Sequence, residues 1–114
     1  MKKKIKLIFK KRKFEIVLKV CNEFEKFSGL MFKKREKAQA LLFEFKKPTK
    51  MKIHSLFVFF PFIAIWLDDK NKIIELKVIK PWRFFVLPQK SFCRLIEIPM
   101  STKYERIIKL LVGD

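Results

Sequence analysis

The stretch that most constrains this chain is Leu56-Phe57-Val58-Phe59-Phe60-Pro61-Phe62-Ile63-Ala64-Ile65-Trp66-Leu67, twelve residues without a charge. A membrane-crossing helix needs about 20 apolar residues, and Pro61 also divides this run. It therefore belongs in a folded core or at a partner interface. Phe and β-branched residues dominate it, which favours extended strand, with Pro61 splitting it in two or bending it sharply. Asp68-Asp69-Lys70-Asn71-Lys72 follows as a hairpin turn, with Asn71 able to take a positive φ. Ile74, Leu76 and Val78 then alternate with Glu75 and Lys77, the period of a returning strand with one polar side.

The remaining strands are half polar. Ile5, Leu7 and Phe9 alternate with Lys4, Lys6 and Lys10, and Phe14, Ile16, Leu18 and Val20 alternate with Glu15, Val17 and Lys19 beyond the charged turn Lys10-Lys11-Arg12-Lys13, which predicts a hairpin. Leu41, Phe43 and Phe45 mark a third strand, closed by a turn at Lys46-Lys47-Pro48-Thr49-Lys50, where Pro48 lacks a ladder donor. Met51 to His54 suits a short edge strand, Phe84 to Leu87 a short apolar piece, and Phe92 to Ile98 a strand ended by Pro99. Two places break the pattern. Asn22 can cap a short helix with Glu23 and Glu25 at its positive end, Phe24 and Phe27 on one face, and Gly29 where such a helix stops. Thr102 with Glu105 fits a capping box, ahead of a C-terminal helix carrying Tyr104, Ile107, Ile108 and Leu111 on one face. Many short strands and little helix predict a single all-β domain over residues 1–114, a β-sandwich or barrel with one short helix and a C-terminal helix.

The order of motifs resembles the domain-of-unknown-function 192 family, archaeal branch. The resemblance runs from about Val17 to Pro99 and rests on Gly29-Leu30-Met31-Phe32, Ala40-Leu41-Leu42-Phe43-Glu44-Phe45, the aromatic run with Pro61, Trp66-Leu67-Asp68, Lys80-Pro81-Trp82-Arg83 and Leu95-Ile96-Glu97-Ile98-Pro99. It implies a jelly-roll-like β-sandwich without an established activity. Many bacterial members carry Asn-Thr before the proline and Asp two residues after it. The matching positions here are the apolar Phe57, Val58 and Ile63.

Charge carries the functional hint. Lys and Arg total 28 against 11 acids, a net charge of +17, while half the residues are hydrophobic, so the chain is not a disordered basic tail. Abundant Lys and Glu with few amides fit a hyperthermophile composition, but ion-pair networks need both signs and leave the excess unexplained. The expected partner is a polyanion, nucleic acid, met by Lys10, Lys11, Arg12, Lys13, Lys33, Lys34, Arg35, Lys80 and Arg83. Trp82, Phe84 and Phe85 could stack on unpaired bases, although their first reading is core. The alternative is a protein-interaction or homodimer module. Phe57, Phe59 and Phe60 cannot all face one side of a strand, so the run needs cover from the terminal helix or a second subunit. A third class, a small-ligand pocket in the sandwich, leaves no sequence signature.

Enzymatic chemistry is not expected. His54 is the single histidine and reads as a structural hydrogen bond at a strand end; Asp68-Asp69 reads as a turn tip; two glycines make no phosphate loop. No catalytic residue, metal site or cofactor is expected. Cys21 and Cys93 stand alone and read as free thiols. The N-terminal apolar alternation ends at Lys10-Lys11-Arg12-Lys13 without an h-region, so no membrane association is expected and the cytoplasm is the expected location.

Overall fold

The computed structural model describes residues 1–83 and 85–113, and of Phe24 and Phe27 the backbone alone. The expected shared face of Phe24 and Phe27, and the place of Phe84, therefore lie outside the described residues. The chain order is β1 (Lys2–Phe9), β2 (Arg12–Val20), α1 (Glu23–Ser28), β3 (Leu41–Thr49), β4 (Phe62–Leu67), β5 (Ile73–Ile79), β6 (Phe92–Pro99), a 3-10 turn (Thr102–Tyr104) and α2 (Glu105–Val112). The fold is all-β. The six strands form one sheet in the order β1-β2-β3-β6-β4-β5, curled into a half-barrel so that the outer strands β1 and β5 approach each other. All neighbours pair antiparallel except β2 and β3, which run parallel through Lys19↔Leu41 and Val20↔Leu42.

The curl gives the sheet two apolar faces. Ile63, Ile65 and Leu67 of β4 pack inside with Ile5, Leu7, Ile16, Leu18, Leu42, Ile96 and Ile98, and Tyr104 and Leu111 close that core. Phe62, Ala64 and Trp66 point the other way, into a second core with Leu41, Phe43, Phe92 and Leu95. Every residue of β4 is buried, and the chain itself covers both its faces, so this strand does not require a second subunit. The Ile107 and Ile108 side chains pack partly buried against the first core, giving α2 the amphipathic face its spacing predicts.

Local signals shape the turns. Asn22 Oδ1 accepts from the Glu25 N–H at 2.8 Å and Glu25 Oε1 accepts from the Asn22 N–H at 3.1 Å, a reciprocal cap on α1. Gly29 ends that helix at φ +51. Asn71 takes φ +62 in the β4–β5 turn, where Asp68 Oδ1 accepts from the Lys70 and Lys72 N–H groups at 2.8 Å each. The β1–β2 turn places both Lys10 and Lys11 at positive φ, the pattern of a tight hairpin usually built from Asn and Gly.

Five expectations need correction. Pro48 lies within β3, because the β3–β6 register breaks between Glu44 and Thr49 and asks no ladder bond of it. Only the second half of the apolar run is strand; of Met51 to His54 only Ile53 pairs, in an isolated bridge to Val86. Thr102 does not cap α2. Its hydroxyl and N–H are taken by Glu36 Oε1, and α2 begins after an uncapped 3-10 turn. Phe60 is core at 2 % exposure, so its ring offers nothing to a partner. No helix among the described residues is long and apolar enough to cross a membrane.

Candidate functional site

Residues 54–60 leave the sheet in an irregular turn, and the fully buried Ser55 organises it. The Ser55 hydroxyl donates to the Lys80 carbonyl at 2.6 Å and accepts from the Arg83 N–H at 2.7 Å. Its N–H donates to the Arg83 carbonyl, and its carbonyl accepts from the Trp82 N–H, both at 2.8 Å. One small side chain thus ties the start of the apolar run to the segment after β5. The Phe32 N–H reaches the same turn, donating to the Phe57 carbonyl at 2.9 Å.

These bonds gather four aromatic rings on the surface. Phe32 stacks on Phe57 with centroids 5.1 Å apart, while Trp82 meets Phe57 edge-on at 5.0 Å and Phe59 at 5.7 Å. All four stay exposed, Phe32 at 68 %, Phe59 at 60 %, Trp82 at 46 % and Phe57 at 41 %. Phe32, Phe57 and Trp82 also have φ near +60. A bulky residue in the left-handed region costs roughly 1–3 kcal/mol and persists only where surrounding bonds hold it. The fold therefore sustains strain at three separate turns to present rings to solvent.

The predicted basic residues divide around this surface. Lys33 and Lys34 follow Phe32, and Lys80 and Arg83 bracket Trp82; all four are exposed. Arg35 is occupied, its Nε donating to the Met100 carbonyl at 2.8 Å. Lys10, Lys11, Arg12 and Lys13 sit at the tip of the β1–β2 hairpin, at the other end of β2 from its pairing with β3. Among the described residues no hydrogen bond or ring contact joins that tip to the aromatic surface. Trp82 and Phe85, first read as core, are both exposed, because the bonds from Ser55 and Ile53 hold the backbone of their segment and leave the side chains outside. The Phe85 ring is covered by Lys52 Nζ at 4.8 Å.

A second feature escaped the sequence reading. Glu97, on β6, is buried at 6 % exposure on the face it shares with its cross-strand neighbours Leu41 and Ala64. It lines a cavity of about 130 Å³ beneath α1, with Leu30, Phe43, Phe45, Val58 and Phe92 among the apolar walls. Burial is the one cause acting on its carboxyl and pushes it up to about 8. No hydrogen bond or ion pair to Glu97 occurs among the described residues. A Cβ at Gly29 would lie 3.4 Å from Glu97 Oε1, so the glycine keeps the wall over the carboxyl thin. In sequence, Glu97 resembles any solvated strand acid. The one clue is its isolation, since Arg94, three residues earlier, points to the other side and binds the β4–β5 turn and Glu44.

The other candidate groups have structural roles. His54 lines the Glu97 cavity, and its Nδ1 accepts from the Leu56 N–H at 3.2 Å. Asp68 is held below the usual carboxylate range by the Lys72 and Lys70 N–H groups. Cys21 and Cys93 are free thiols, and burial first, then the Glu25 and Glu97 carboxyls, pushes Cys21 up to about 12. No group of three metal-ligating side chains occurs among the described residues.

The family model of DUF192, described as "Uncharacterized ACR", matches residues 7–109. The UPF0127 protein of Pyrococcus furiosus is 27 % identical over 93 residues, 81 % of this chain and 79 % of that protein. The UPF0127 protein of Pyrococcus horikoshii is 30 % identical over 86 residues, covering 75 % and 72 %. Among solved structures, a provisionally named transcription regulator from Sinorhizobium meliloti 1021 superposes with a TM-score of 0.77 at 14 % identity, over 94 % of this chain and 86 % of that one. A protein of unknown function from Novosphingobium aromaticivorans gives 0.71 at 11 % identity, over 90 % and 75 %. At those identities the two structures share the fold, and only the fold.

Proposed function

The chain belongs to the domain-of-unknown-function 192 family, and we propose that it is a non-enzymatic module binding single-stranded nucleic acid on the Phe32, Phe57, Phe59 and Trp82 surface. The observation that carries this reading is the convergence of four exposed rings, three on strained backbone, with the exposed cations Lys33, Lys34, Lys80 and Arg83 flanking Phe32 and Trp82 in sequence. Rings supply stacking partners that accept any base, and the cations neutralise phosphates without reading sequence. An exposed apolar patch of this kind is a liability in a monomer unless a partner covers it. The net charge of +17 selects a polyanion over a neutral protein surface.

The test is fluorescence anisotropy of a labelled oligo(dT) across a salt series. Binding is expected at about 50 mM salt, with a log–log salt slope near −3, about 0.7 for each of four neutralised phosphates. Trp82→Ala should weaken binding roughly tenfold, the loss of about one stacked base. No binding at low salt overturns the proposal. So does salt-sensitive binding that Trp82→Ala leaves unchanged, which would move the contact to the hairpin tip. A concentration-dependent dimer mass without oligonucleotide binding would assign the rings to a second copy of the chain.

A further inference from the structure

We propose that the cavity beneath α1 is a binding site for a small uncharged carboxamide, held between aromatic walls and hydrogen-bonded at two points to the Glu97 carboxyl. This site is separate from the aromatic surface and does not depend on it.

Size and lining set the body of the ligand. A dry cavity of roughly 150 Å³ lined by aliphatic and aromatic side chains accepts benzene, and this one measures about 130 Å³. Leu30, Phe43, Phe45, Val58, Phe92 and Leu95 give it apolar walls. Phe45 and Phe92 are fixed against each other edge-to-face, centroids 5.5 Å apart, so the shape is set before anything binds.

Glu97 sets the polar group. A buried carboxyl without a partner is uncommon, because an unmade hydrogen bond in the interior costs about 1–3 kcal/mol. Its protonated form offers one donor and one acceptor side by side, and a primary amide presents the complementary pair. A cation is the wrong choice, because Lys26 and Lys52 line the same cavity. Neither lysine is available to Glu97. Lys26 Nζ lies 3.0 Å from Glu23 and over the Phe45 ring, and Lys52 Nζ lies over Phe85. An anion beside the protonated Glu97 accepts one hydrogen bond and returns none, so it fills only half of the pair. Val58 sharpens the specificity. It is buried and lines the cavity with an apolar side chain, so it adds no second hydrogen-bonding group beside Glu97.

The groups facing Glu97 from the elements packed around it are Cys21 at the end of β2, Lys26 of α1, and Lys52 and His54 from the segment before the apolar run. The test uses propionamide, smaller than a benzene ring, and follows the backbone N–H resonances of Gly29 and Glu97 by NMR. At about pH 6 the shifts should saturate, and affinity should fall about tenfold per pH unit once Glu97 ionises. Propionate and propylammonium should bind more weakly than propionamide. Glu97→Gln, which keeps shape and pairing, should bind propionamide with that pH dependence removed, whereas a contribution from His54 would survive the substitution. Should this variant not fold, the Glu97 carboxyl carbon shift of the native protein reports the same point, since propionamide should raise the pH at which it titrates. Absence of saturable shifts at about pH 6 overturns the proposal. So does an unchanged pH response in Glu97→Gln, an unmoved Glu97 titration, or preference for propylammonium.

Discussion

Ser55 and Glu97 are both buried polar residues, and they could hardly be treated more differently. Ser55 uses its hydroxyl twice and both its backbone groups, binding Lys80, Trp82 and Arg83. Glu97 has no polar partner among the described residues and opens onto a cavity. The satisfied group is architecture: it converts two loops into one surface and is not itself accessible. The other group has no protein partner among the described residues and faces a cavity, a place where water or a ligand can complete the bonding. Within one small domain, the same burial therefore has opposite meanings, decided by whether the hydrogen bonds close.

The comparison can be broken most severely at Glu97. Its carboxyl titrates near 8 in the folded chain against 4.5 ordinarily. The folded state therefore holds the proton more tightly than the unfolded one. The stability linked to Glu97 is fully present below about pH 4.5 and is lost as pH rises through 8, at about 1.4 kcal/mol per pH unit between them. Urea melts across that window should show Glu97→Gln gaining on the native chain by several kcal/mol in total. Parallel curves for the two proteins would mean that Glu97 has a partner after all.

Ser55→Ala comes next. It strands the Arg83 N–H and the Lys80 carbonyl, at about 1–3 kcal/mol by chemical denaturation. It should also weaken oligonucleotide binding, because the turns that carry Trp82 lose their anchor. A neutral result at both readouts would make Ser55 a bystander. The smallest expected effect is at Asn22. Asn22→Ala should cost about 1 kcal/mol by removing the cap of α1, and should loosen propionamide binding while leaving oligonucleotide binding as it was. Loss of both activities together would show that the two sites are one.

Much of the scaffold was legible because it depends on neighbours in sequence. The β1–β2 hairpin, the Asn22–Glu25 cap, the Gly29 stop, the Asn71 turn and the apolar face of α2 all involve residues within a turn or two of one another. Thr102 shows where that logic fails. Its capping-box spacing was sound, but Glu36, 66 residues away, takes the hydroxyl. Pro48 fails for a similar reason: a break in pairing with β6 gives it a place in a strand that sequence rules deny it. The basic residues were legible as charge, but their grouping was not. Lys33 follows Phe32 and Lys80 comes two residues before Trp82 in sequence, and Phe32 and Trp82 meet on one surface only through Phe57 and Ser55, while the hairpin-tip lysines stay apart.

The apolar run itself divides along the same line. Its composition alone determined that it would supply a core strand, that Pro61 would interrupt it and that a turn would follow, since these depend on local hydrophobicity and backbone stereochemistry. Which rings stay outside was decided by tertiary structure. Phe60 is buried while Phe59, one residue before it, and Phe57, three before it, remain exposed. Equally, nothing in Leu95-Ile96-Glu97-Ile98-Pro99 separates a solvated acid from a buried one. The difference arises when α1 and Gly29 close over β6, because burial and hydrogen-bond satisfaction are properties of what surrounds a residue, and the surroundings of Glu97 come from the other end of the chain.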